Sequence, residues 1–238
     1  MIFMSNLGFE KRIKALTEKT NRKEFPLVIE LAGITRAGKT EFTDALFDLF
    51  RKSGVKTTAY LQGEYSCPIT DRWSVDFSVW GITNFIRQFY EFKYSGEEFI
   101  IADRGLFDTM LWLRLKLESG ICDEETYNLL RNLAMDNLWW KHQAVVIAFN
   151  ADIEIVLGRA RERRLYGTES LVTNEDVLPK LQNALVEEVA KVNQVLRNRS
   201  QLPIVKYLNT GNKGLRDVLL EATEITISTL EENTSSHS

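Results

Sequence analysis

The chain has 238 residues, 44% of them hydrophobic and 26% charged, with a net charge of −3; it fits one large soluble domain or two small ones. That charge offers no overall attraction for nucleic acid or an anionic membrane, and the longest apolar runs, such as residues 144–149, are far shorter than the ~20 residues of a membrane helix. Two cysteines (Cys67, Cys122) and two histidines (His142, His237) exclude a disulfide framework and a histidine-built metal centre, and a reducing cytoplasm is the expected compartment.

In chain order, the first 25 residues carry scattered Lys and Arg but no apolar stretch, so they do not read as a secretory signal. The Glu10/Lys14 and Glu18/Arg22 spacings predict a short surface helix there. Residues 25–32 (FPLVIELA) are mostly apolar and β-favouring, as in a buried strand. After a glycine-rich corner, Phe42, Ala45, Leu46, Leu49 and Phe50 recur with the period of an amphipathic helix, which Ser53-Gly54 stops. Strands are predicted at 56–61, 99–102, 144–149 and 203–208, and helices at 82–92, 106–118, 124–140, 152–164, from Asp176 onward, and 215–230. The tail 231–238 is polar and is expected to fray. Five short apolar strands separated by helices imply right-handed βαβ crossovers, a parallel sheet and helices on both faces, a three-layer α/β/α sandwich. In such sheets ligands gather at the carboxyl ends of the strands.

Residues 33–40 read Gly-Ile-Thr-Arg-Ala-Gly-Lys-Thr, matching the phosphate-cradling pattern G-x-x-x-x-G-K-[ST] without a mismatch, between a strand and a helix. Gly33 and Gly38 can take positive φ and approach anionic oxygens closely. The intervening Ile34, Thr35, Arg36 and Ala37 present backbone N–H groups to the same ligand. Lys39 supplies a mobile charge for the β- and γ-phosphates, and Thr40 a hydroxyl for Mg²⁺. The expected ligand is therefore ATP·Mg²⁺ or another nucleoside triphosphate.

Further candidates lie on the same sheet edge. Asp103 ends the third strand, where a carboxylate reaches Mg²⁺ directly or through water, and Arg104 beside it can grip a phosphate as a bidentate fork; the alternative is a helix cap beside a surface charge. Residues 159–164 (RARERR) put Arg159 and Arg163 on one helical face, ahead of a loop at about 165–171 able to close as a lid; a solvated basic face is the other reading. Glu64, just past the second strand, is a candidate general base, and Trp73, among Tyr65, Phe77 and Trp80, a candidate stacking wall for a planar acceptor. Asp71 and Arg72 are further polar candidates in this loop.

On these residues the chain resembles the P-loop kinases of nucleosides and nucleoside monophosphates, the thymidylate kinase and deoxynucleoside kinase group, over about residues 25–230. Residues 35–40 (TRAGKT) look like the Asp-Arg-Ala-Gly-Lys-[Ser/Thr] loop of eukaryotic-type thymidylate kinases. Asp103-Arg104 matches the Asp-Arg pair of thymidylate kinases and the Glu-Arg pair of deoxynucleoside kinases. Arg159 and Arg163 match the R-x-x-x-R entry to the lid, and Glu64 falls near the base of the deoxynucleoside kinases. The resemblance implies that Arg36 holds the transferring phosphoryl group. It also implies a P-loop NTPase fold, with an N-terminal helical extension (1–24), a kinase domain (25–230) whose lid spans about 158–172, and a flexible tail (231–238). Three positions depart from the pattern, all on the acceptor side: Thr35 replaces an aspartate, Gln62-Gly63-Glu64 replaces Arg-Glu-Pro, and Gly105 follows Asp-Arg.

The leading expectation is ATP-dependent phosphoryl transfer to a small acceptor, a nucleoside or nucleoside monophosphate, with Arg104 and Trp73 contacting it. The alternatives are a kinase of another small molecule, an ATPase or switch acting through protein contacts, or a non-catalytic kinase-like module. No guanine-reading Asn-Lys-x-Asp tetrad appears, which argues against a GTPase. Folds of this group are often dimers, and the Leu/Trp-rich segment 106–140 could form an apolar interface or core.

Overall fold

The computed structural model describes residues 7–19, 26–61, 67–163, 175–199, 201–202 and 204–235. In chain order the elements are α1 (Leu7–Lys19), β1 (Leu27–Gly33), α2 (Lys39–Lys52), β2 (Thr57–Leu61), α3 (Val75–Ser95), β3 (Phe99–Asp103), α4 (Leu106–Glu118), α5 (Glu124–Ala134), α6 (Asn137–Trp140), β4 (Gln143–Asn150), α7 (Ile153–Arg163), α8 (Val177–Asn198), β5 (Val205–Asn209) and α9 (Leu215–Ser235). The strands form one five-stranded sheet in the order β2-β3-β1-β4-β5. Every pairing is parallel. The α/β sandwich expected from the alternation of elements is what the chain builds: α2 and α9 lie against one face of the sheet, α4 and α8 against the other.

β1 is central, and its apolar run, broken only by Glu30, follows from burial on both faces. Chain order reverses beside it, since β1 pairs with both β3 and β4. The crevice above such a switch point is where this architecture binds ligands, and the corner at 33–38 opens there. The α2 face is anchored by aromatic pairs, with Phe50 edge-on to Phe99 at 4.9 Å and Phe42 tilted against Phe149 at 5.8 Å.

Several boundaries differ from expectation for identifiable reasons. α3 starts at Val75 rather than 82, because the Ser74 hydroxyl caps it by accepting from the Phe77 N–H. Phe77 and Trp80 therefore sit on a helix, not in a loop. The helix expected over 124–140 is two helices, since the Asp136 side chain accepts from Leu138 N–H and starts a new turn. α9 runs through Ser235, past the expected start of the tail at 231. α1 is more than a surface helix: Phe9, Ile13 and Leu16 join the core, and Arg12 grips Glu224 and Glu231 of α9. Within 106–140, the apolar side chains of α4 are mostly core, while Leu129, Leu133 and Leu138 on α5 and α6 are exposed. Among the described residues, no helix is long and apolar enough to cross a membrane.

Candidate active site

The corner between β1 and α2 is built from left-handed backbone. Gly33 (φ +107°), Arg36 (φ +61°) and Gly38 (φ +97°) all turn in the region that glycine favours. At Gly33 a side chain has no room, because a Cβ would stand 2.2 Å from the Phe149 carbonyl oxygen on the neighbouring strand. At Gly38, among the described residues and apart from its chain neighbours, no atom lies within 4 Å of where a Cβ would be, which leaves room there for a ligand. Ile34 donates its backbone N–H to the Phe149 carbonyl (2.9 Å), which pins the loop to β4.

Lys39 is folded back and buried, its Nζ donating to the carbonyls of Gly33 (3.0 Å) and Ile34 (2.7 Å). An ammonium so held rests across the loop it belongs to. The Thr40 hydroxyl donates to Asp103 Oδ2 at 2.9 Å. Two oxygen donors 63 residues apart in sequence thus meet where the sequence pattern assigns a divalent cation. Arg36 has a buried Nε that makes no hydrogen bond among the described residues, a donor suited to an incoming anionic oxygen. From α7, Arg159 Nη1 donates to the Arg36 carbonyl at 2.7 Å, so the helix leading into the expected lid touches the phosphate loop directly. Open space over Gly38, an unpartnered buried guanidinium nitrogen and a hydroxyl–carboxylate pair fit a polyphosphate with its Mg²⁺.

Arg104 is the second residue to stand in left-handed backbone without being glycine (φ +66°), a conformation costing about 1–3 kcal/mol that clusters at working sites. Its Nη1 pairs with Asp108 Oδ2 at 2.9 Å and its Nη2 donates to Thr35 Oγ1 at 3.1 Å. Asp108 is fully buried and does more: Oδ1 accepts the Gly33 N–H (2.8 Å), and Oδ2 also accepts the Trp112 indole N–H (3.1 Å). Trp112 in turn meets Trp73 edge-on at 6.2 Å. Sequence reasoning missed Asp108, although its place four residues after Arg104 on a helix was a readable pairing signal.

Glu30 was missed as well. It is a lone charge in an apolar strand and fully buried. Its carboxylate accepts the N–H groups of Gly105 (2.9 Å), Phe107 (3.2 Å) and Asp108 (2.9 Å), and the Gln143 side-chain amide (3.2 Å). It thereby caps α4, whose own N-cap, Gly105, offers no side chain. Burial pushes its carboxyl up to about 7, outweighing the amide donors that favour the anion. A Cβ on Gly105 would come within 2.8 Å of this carboxylate, so glycine after Asp103-Arg104 goes with the buried glutamate beneath it.

The structure thus brings together the loop 33–40, Asp103, Arg104 and Arg159, and links Trp73 to them through Trp112 and Asp108. Glu64, the 164–172 part of the expected lid and the Arg163 side chain lie outside the described residues. At the end of β4, Gln182 donates to Asn150 Oδ1 (3.1 Å) and the Ala151 carbonyl (2.7 Å), while the Thr210 N–H (2.8 Å) and hydroxyl (3.0 Å) donate to the Asn150 carbonyl. The loops after β4 and β5 are fixed beside the site by these bonds.

No family model matches the sequence, and no curated protein does. Solved structures are similar in fold. A deoxyadenosine kinase from M. mycoides with bound dATP superposes with a TM-score of 0.59 at 16% identity, over 82% of this chain and 97% of that one. The same kinase with its products dCMP and dCDP gives 0.56 at 15% identity, over 83% and 97%. A thymidylate kinase from Ehrlichia chaffeensis gives 0.52 at 10% identity, over 84% and 98%. The chain has the fold of the P-loop nucleoside and nucleotide kinases.

Proposed function

We propose that the protein is an ATP-dependent kinase that phosphorylates a nucleoside or nucleoside monophosphate. The observation that carries this reading is the 2.9 Å bond from Thr40 to Asp103, because it joins the glycine loop to a carboxylate of another strand as a cation-holding pair.

Thr40 and Asp103 would hold Mg²⁺, which when bound would neutralise charge on the phosphates. The amides of residues 34–39 cradle the phosphate chain, and Lys39 swings from its own loop carbonyls to those oxygens. In the transfer, an acceptor oxygen forms a bond to the γ-phosphorus, the bond to the β–γ bridging oxygen breaks, and ADP leaves with that electron pair. Charge spreads over the γ-oxygens in the transition state. Arg36 and Arg159 meet it with N–H donors from the loop and from α7, and Arg163 is assigned the same part from its place one turn after Arg159. Arg104 orients the acceptor while Trp73 walls the space beside it. When the acceptor is a hydroxyl, its proton passes to a carboxylate, the part assigned to Glu64.

A panel of nucleosides and nucleoside monophosphates, incubated with ATP and Mg²⁺ and read by ADP release and product mass, tests the proposal. The expected result is acceptor-dependent ADP release with slow release in the absence of acceptor. ADP release that no acceptor accelerates would instead mark an ATPase or switch.

A further inference from the structure

Glu30 is a charged side chain in the middle of the central strand, and burial works against it there. Loss of water pushes its carboxyl up to about 7 despite the N–H donors around it. A well-packed apolar or neutral residue would serve stability better, so the carboxylate points to geometry that has to be held.

What it holds is the turn by which β3 becomes α4. On one side of the turn the sheet fixes the chain: Asp103 pairs with Leu31 and Leu61, and the Arg104 N–H donates to the Leu31 carbonyl at 2.9 Å. On the other side the chain leaves the sheet at Gly105, and there Glu30 takes the N–H groups of Gly105, Phe107 and Asp108. The Asp108 side chain carries the connection on, its Oδ1 accepting the Gly33 N–H at the head of the glycine loop (2.8 Å). Thr40 and Asp103, 2.9 Å apart, thus stand on separate segments that share one carboxylate as their reference.

The task needs two oxygens. Oε1 accepts from Gly105 and Asp108, and Oε2 from Phe107 and the Gln143 amide. A glutamine offers one oxygen, and its own NH₂ would meet an N–H donor where an acceptor is required. The opening amides of α4 also favour an anion.

We propose that Glu30 is a positioning residue for the metal ligand of the site: by gripping the first amides of α4 it sets Asp103 opposite Thr40, so that a divalent cation and ATP bind cooperatively. This rests on the assignment of Mg²⁺ to Thr40 and Asp103 in the kinase reading above.

Calorimetric titration of the full chain with ATP at pH 8, with Mg²⁺ or with EDTA in its place, tests this without turnover. In wild type Mg²⁺ is expected to tighten ATP binding about 30-fold. Asp103→Asn should cut that factor about tenfold. Glu30→Gln should cut it to the same degree while changing metal-free ATP binding by less than about threefold. The double variant should lose no more than either alone, because Glu30 acts through Asp103. Lys116→Met removes the tie at the far end of α4 and should lower the urea midpoint while the metal factor stays at its wild-type value. Gly105→Ala sets a Cβ 2.8 Å from the Glu30 carboxyl carbon, should also cut the factor, and serves where Glu30→Gln fails to fold. An undiminished factor in folded Glu30→Gln, or equal weakening of ATP with and without Mg²⁺, reduces Glu30 to a helix cap and overturns the inference. Wild-type ATP binding that Mg²⁺ does not strengthen overturns it together with the assignment of Thr40 and Asp103. The expected metal factors without turnover of any acceptor leave the inference standing and remove the kinase reading.

Discussion

Lys39 and Gly33 show how differently two residues of one eight-residue corner can matter. Lys39 spends its hydrogen bonds on the carbonyls of Gly33 and Ile34, contacts that a ligand would replace, so its removal should harm turnover more than folding. Lys39→Ala is expected to lower kcat/KM for ATP about 10²–10³-fold, read by coupled ADP release, with the urea midpoint little changed. Gly33 is the reverse case. Its φ of +107° and the 2.2 Å approach of the Phe149 oxygen leave a Cβ nowhere to go without parting β1 from β4. Gly33→Ala is expected to cost about 3 kcal/mol or more in urea unfolding, since backbone, not a movable side chain, is in the way.

For the elements, the decisive connection runs from β1 to α4. Glu30 reaches across from the central strand to the bare N-terminus of the helix, and this fixes the path of Asp103-Arg104-Gly105 between them. The raised carboxyl pKa has a definite consequence for pH. The native state holds this proton more tightly than the unfolded chain, so the stabilisation is complete below about pH 4.5 and is lost as pH rises through about 7. The span of this effect is about 3 kcal/mol. Glu30→Gln carries no such proton, so its stability relative to wild type should improve between pH 5 and pH 8 by about 2–3 kcal/mol, measured by urea melts at both ends. A difference independent of pH would mean that the folded state holds the Glu30 proton no more tightly than the unfolded chain. α4 is tied at its other end too: buried Lys116 donates to the Ser74 carbonyl (2.8 Å) and the Ser78 hydroxyl (2.6 Å), locking α4 to the start of α3.

Across the whole molecule, α1 closes the layer formed by α2 and α9, and two kinds of interaction compete for credit. Arg12 bonds Glu224 and Glu231, but these carboxylates are 52% and 40% exposed, so water and salt screen the pairs. Ile13 on the same helix is fully buried. Arg12→Ala should therefore cost about 1 kcal/mol and Ile13→Ala about 3 kcal/mol in chemical unfolding. Ligand linkage offers a check at the same scale. ATP·Mg²⁺ at 100 times its dissociation constant should stabilise the fold by about 2.7 kcal/mol, a rise in Tm that Lys39→Ala should largely remove and Arg12→Ala should not.

The order of elements, the parallel sheet and the 33–40 corner were legible from local signals alone: period-2 and period-3.6 apolar spacing, glycines at turns, and one motif with its flanks in the right order. Those signals are carried by neighbours in the chain, so a single sequence displays them. The helix start at Ser74, the break at Asp136 and the burial of α1 were not, because capping competes among several nearby polar residues and packing of α1 depends on a helix more than two hundred residues away. The partnership of Thr40 with Asp103 was expected from their positions, but that of Asp108 with Gly33, Arg104 and Trp112 was not. Nor was the fit of Glu30 beneath Gly105. A buried charge looks in sequence like any surface charge, and only three-dimensional packing decides which carboxylates lose their water and must find donors instead.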